Sequence, residues 1–186
     1  MCPDNYEFKI ELIFVLKKKL EKVKMKQVPL HEVERLIKQL DGQTRSDKIR
    51  ASDQLSKVPV FPTLISQPAQ FLSEIVAPVL RHFSNDTEMV RENCVKTAHN
   101  YAKELGKENL KDILFYMLPP IFERLKDEEI EPAEQIRMMI MKLLLDLIKM
   151  VGSDTNPDNW NNYADSLTNP LILAFKSRDA ELKKVG

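Results

Sequence analysis

Glycine is scarce, with four residues in a chain of 186, where an ordinary protein carries about 7%. Phosphate-cradling loops and two-residue hairpins both draw on clustered glycine, so dinucleotide loops, Walker loops and hairpin-rich β folds are excluded. Cysteine is nearly as rare: Cys2 and Cys94 cannot build a disulfide framework, and no apolar leader core opens the chain. A reducing compartment, the cytosol, is the expectation. An excess of charge is missing too. Twenty-eight Lys and Arg face 28 Asp and Glu, which removes the electrostatic footprint of a nucleic-acid or anionic-membrane binder. The longest apolar stretch, Met138 to Val151, is fourteen residues with eleven apolar, short of the roughly twenty that cross a bilayer. Its polar residues Lys142, Asp146 and Lys149 fall on one narrow stripe, as in an inner helix buried between neighbours.

What the chain does hold is apolar content, 43%, at helical spacing. Phe71, Leu72, Ile75, Val76, Val79, Leu80 and Phe83 recur at three and four; after Ser84 to Thr87 so do Val90, Cys94, Ala98, Tyr101, Ala102 and Leu105. Leu110 to Leu125 and Ile136 to Val151 repeat the scheme. Gly42, Gly106 and Gly152 each follow such a segment, where a left-handed residue ends a helix. Thr44 with Asp47, Asn109 with Asp112 and Asn162 with Asp165 mark starts, a capping side chain three residues before a carboxylate. Strand alternation is absent. The expectation is an all-α, HEAT-like α-solenoid of antiparallel helix pairs. Its repeats are 28–57, 66–105, 109–151 and an incomplete 162–186, after a lysine-rich helix within 1–27.

Val90-Arg91, Ile136-Arg137 and Leu182-Lys183 superimpose at steps of 46 residues, and a fixed period of this size marks a stacked array. Pro78, Pro119 or Pro120, and Pro170 fall inside the preceding helices; Asp86 and Asp127 mark the turns. A proline bends the outer helix, the aspartate caps the inner one, and Arg91, Arg137 or Lys183 can reach a neighbouring turn carboxylate to form a ladder. This unit looks like a HEAT repeat. The stretch Glu131-Pro132-Ala133-Glu134-Gln135-Ile136-Arg137, with the later Leu171 to Lys184, is similar to the N-terminal repeats of the HEAT-repeat dynein axonemal assembly factor family, the fifth of that named series. The resemblance runs from about Leu30 to the end. It implies a cytoplasmic factor for preassembly of axonemal dynein arms, with dynein subunits such as an intermediate chain, and chaperones, as partners. Members of that family continue through further repeats, and the lysine-rich first helix has no counterpart in them.

Catalytic and metal constellations are not apparent. His31, His82 and His99 lack the i, i+4 spacing of ligands; His82 and His99 read as surface or boundary residues, and Cys94 sits at a packing position. No cofactor and no enzymatic activity are expected. The acidic run Asp127, Glu128, Glu129, Glu131 with Glu134 lengthens one turn, and insertions in repeat arrays map to a binding face. Its side chains are expected to be exposed, which makes Glu128, Glu129, Glu131 and Glu134 candidate partner-binding residues, with Trp160 in the asparagine-rich linker. Other uses of the same architecture are an importin-like carrier, a phosphatase scaffold, or a TOG-like tubulin binder, though the turns lack the aromatic anchor of the last. The segment Asp179 to Gly186 opens an inner helix without completing it, so a longer parent protein is the expectation.

Overall fold

A computed structural model describes residues 29–59, 68–127 and 129–151, with 163, 165–168, 170 and 172 beyond them. The first, lysine-rich helix, Glu128, Trp160, Lys183 and the Gly152 stop lie outside the described residues. Six α-helices are described: α1 (Leu30–Leu40), α2 (Arg45–Leu55), α3 (Pro68–Phe71), α4 (Ala77–Arg81), α5 (Glu88–Leu125) and α6 (Glu134–Val151). Among the described residues there is no strand.

They form three stacked pairs. Val33, Leu36, Ile37 and Leu40 stripe one face of α1 and bury it against α2, which starts at Thr44, whose hydroxyl accepts the Asp47 N–H at 3.2 Å. The second outer helix is assembled from α3, a π turn Leu72–Val76, α4 and a 3₁₀ turn His82–Ser84. Pro78 explains the irregularity. It has no N–H to give Glu74, and the Ala77 N–H reaches back to the Leu72 carbonyl, widening the turn. Its inner partner is the arm 88–105 of α5.

That arm runs into the third outer helix, the arm 107–125, through one residue. Gly106 has φ 71 and ψ 170, a combination open to glycine and costly for any residue with a Cβ. Asn109 does not cap a new helix as its spacing suggested; it lies one turn inside the second arm and its Nδ2 donates to the Leu105 carbonyl at 3.0 Å, supplying a donor across the break. Gly42 also departs from expectation. Among the described residues only Gly106 has positive φ, and α1 ends on a right-handed Asp41. Gly42 is excluded from bearing a side chain by space instead, since a Cβ there would meet the Gln39 carbonyl oxygen at 2.9 Å.

One apolar cluster runs from Val33 through all three pairs to Val151, and Tyr163 and Leu167 pack against it. Phe71 meets Tyr101 within the second pair at 5.7 Å between ring centroids, and Tyr163 lies between Phe115 and Phe122 at 5.9 and 5.6 Å. Pro170 is buried. Helix α6 leaves only Glu134, Gln135 and Lys149 exposed. Among the described residues no helix is long and apolar enough to cross a membrane.

Candidate functional site

The seam between the second and third pairs is where charge and apolar surface meet. Met117, Ile121 and Arg124 lie at i, i+4 and i+7, which puts Arg124 on the buried face of its helix, and Arg91 follows the buried Val90 in the first turn of the inner arm. Two guanidiniums are thus carried into the interior, where each needs an anion. Glu131 supplies it. Its side chain is 0% exposed and takes a two-pronged bond from Arg91, Nε to Oε2 and Nη2 to Oε1, both at 2.8 Å, with Arg124 Nη2 on Oε2 at 2.6 Å. Arg91 Nη1 also donates to the Asn85 carbonyl at 2.9 Å, Arg137 Nη1 donates to the Glu131 carbonyl at 2.5 Å, and the Ala133 N–H donates to Oε1 at 3.3 Å. Burial works against the Glu131 charge, but the hydrogen bonds and charges of Arg91 and Arg124 outweigh it and hold the carboxyl below its ordinary range.

This corrects several expectations. Glu131 is not an exposed member of the acidic insert; its position next to two buried arginines draws it inside. Arg91 does reach a carboxylate of the next turn, but that carboxylate is Glu131 and not Asp127, whose Oδ1 instead accepts the Glu129 N–H at 3.1 Å. Asp86 does not cap the inner helix, because it stands one residue outside an N-cap at Thr87 that has no side-chain cap bond. Asn85 takes the turn, its Oδ1 accepting the Thr87 N–H at 2.9 Å. Arg50, which stands 41 residues before Arg91 at the matching place in the first pair, pairs within its own helix, with Asp47 at 3.1 Å, so the arginine ladder has a single rung among the described residues. His82 is buried, not superficial. Its Nε2 lies 3.0 Å from Asp41 Oδ1 and its Nδ1 3.2 Å from Asn85 Nδ2, tying the second outer helix to the end of the first. On the inner layer His99 meets Asp146 at 2.7 Å.

With Glu131 pinned, its neighbours form the outward edge. Asp127, Glu129 and Glu134 are exposed, and Glu134 stands in the first turn of α6, where the helix dipole favours a carboxylate.

Beside the clasp lies a groove of about 330 Å³ between the second and third outer helices. Leu80 and Phe83 form one wall and Tyr116 and Pro120 the other, with Arg81, Glu123 and Arg124 adding charge. Tyr116 is 62% exposed, one of three large apolar side chains so placed among the described residues. Apart from Arg124 on an apolar stripe, nothing in the sequence pattern marks this groove as a site.

The pairs define an all-α helical-repeat solenoid, with units of forty-odd residues as in HEAT and armadillo arrays, against about 34 for tetratricopeptide repeats. A family model described as dynein axonemal assembly factor 5-like, TPR repeats, matches residues 39–183. The chain belongs to that family. No curated protein matches it, and no solved structure does.

Proposed function

We propose that this protein is a non-catalytic cytoplasmic scaffold that holds subunits of axonemal dynein, an intermediate chain among them, together with chaperones, during preassembly of the dynein arms. Family membership over residues 39–183 is the observation that carries the reading. An array of helix pairs suits the task, since it offers extended surface without an enclosed reaction chamber. We assign the partner contact to the acidic turn edge, through Glu129 and Glu134, with Glu128 between Asp127 and Glu129 in sequence and Trp160 in the following linker as further candidates. Glu131 serves that edge indirectly, by fixing the turn.

The test is capture of dynein intermediate chain from a ciliated-cell extract. Reversing Glu129 and Glu134 to Lys should leave the melting temperature within about 2 °C, because exposed charges contribute little to stability, and should lower the intermediate chain recovered several-fold. Undiminished recovery would show that the edge is a solvated turn.

A further inference from the structure

We propose that the groove between the second and third outer helices docks an acidic segment of a client protein, seating one or two bulky apolar side chains beside a carboxylate. Three observations combine. The groove has an apolar body, with Leu80 and Phe83 facing Tyr116 and Pro120, and its volume of about 330 Å³ is at the lower end of the roughly 300–1,000 Å³ of ligand-sized sites. That is room for side chains of a short segment and too little for a globular surface. Tyr116 stands out at 62% exposure, and tyrosine is among the residues on which interface energy concentrates.

The charge then selects the occupant. Arg91 and Arg124 share the single carboxylate of Glu131, so the interior beneath the groove keeps one positive charge in excess. Arg124 lines the groove, is 9% exposed, and its Nε is the one buried side-chain donor or acceptor among the described residues without a hydrogen-bond partner. Arg81, at the rim, spends one nitrogen on Asp41 at 3.2 Å; a guanidinium carries five N–H donors. Against these stand Asp41, which offsets Arg81, and Glu123, both exposed to solvent and so screened more strongly than the buried excess of Arg91 and Arg124 over Glu131. The buried charge beneath the groove is thus positive, and Arg124 Nε lacks an acceptor. A carboxylate flanked by leucine or phenylalanine answers both features; a basic or neutral segment answers one.

The probe is a fluorescein-labelled twelve-residue peptide with Leu-Asp-Leu-Leu at its centre and Gly-Ser flanks, compared with a twin carrying Lys for Asp, each titrated by polarisation against the full chain. The Asp peptide should saturate and the Lys peptide should bind at least tenfold more weakly. Tyr116→Ala should weaken the Asp peptide at least fivefold at an unchanged melting temperature, and Arg81→Glu should shift preference toward the Lys peptide. Equal binding of the two peptides, no saturable binding, or full binding by Tyr116→Ala would overturn the proposal. So would a dimer in sedimentation that Tyr116→Ala dissolves, since the groove would then serve a second copy. The proposal is independent of which client the acidic edge holds: a failed intermediate-chain capture leaves the peptide result standing, and the reverse holds equally.

Discussion

A single carboxylate decides the state of the seam between the second and third pairs. Glu131→Gln keeps the shape and removes the anion, leaving Arg91 and Arg124 buried together without a counter-charge. Breaking a buried pair on one side costs about 3–5 kcal/mol, a large share of a domain's total stability, and a urea melt should show it. Acid should act the same way on the native chain. Because the folded Glu131 carboxyl titrates below its ordinary range, the unfolded chain binds the proton first. Its contribution is therefore complete above the unfolded value, near 4.5, and disappears as the pH falls through the folded one. The acid limb of the stability curve should flatten in Glu131→Gln, and an unchanged limb would place the acid sensitivity elsewhere. Cys94 offers a quieter check on burial. It is 1% exposed and burial pushes its thiol up to about 12, so alkylation of the Cys94 peptide should proceed only as fast as the chain opens. Cys94→Asp, which places a charge at that packing position, should abolish folding or cost several kcal/mol.

The elements were legible in the sequence where packing dictates them and illegible where the backbone or a distant partner does. The residues Phe71 to Phe83, Val90 to Leu105, Leu110 to Leu125 and Ile136 to Val151 chosen for spacing alone are buried or half-buried almost without exception, because a helix facing a neighbour leaves a three-four signature. The Thr44 cap was equally plain. Glu131 was not: an acid amid acids looks exposed until Arg91, forty residues earlier, and Arg124 are brought beside it. Asn109 misleads for a related reason. Its spacing to Asp112 mimics a cap, whereas the helix restarts directly at Gly106. That glycine allows a sharp test. A Cβ at Gly106 would touch nothing within 4 Å, yet Gly106→Ala should cost about 1–3 kcal/mol through φ 71 alone, measurable in the same urea melt. A neutral Ala variant would mean the joint can rotate without penalty.

On the scale of the molecule, the continuous apolar cluster from Val33 to Val151 couples the three pairs. Leu114→Ala, at a fully buried position of the third pair, should cost about 2–5 kcal/mol. Far-ultraviolet circular dichroism and hydrogen exchange in α2 should register that loss together, in one transition. Separate midpoints would show that the pairs melt independently. Fold and the position of the acidic turn were readable from the one-dimensional pattern, and the family from the resemblance of Glu131 to Arg137 and Leu171 to Lys184. The groove was not, because its two walls belong to helices whose exposed faces carry no periodic signal.

Gly106 also bears on how such a chain can change over generations. Among the described residues, Asp41 to Thr44 separate α1 from α2 and His82 to Thr87 separate α4 from α5, and a turn of that kind absorbs an insertion by bulging. Between the second and third pairs there is no slack: the inner arm becomes the next outer arm across one residue. Adding one residue between Arg91 and Tyr116 would turn everything beyond it by about 100° around the helix axis, carrying Tyr116 away from Leu80 and Phe83 and Glu131 away from Arg91. Natural variation in length should therefore collect in the acidic turn and be purged from the stretch 88–125, and a library of single-residue insertions scored for folding would display that division as a silent interval.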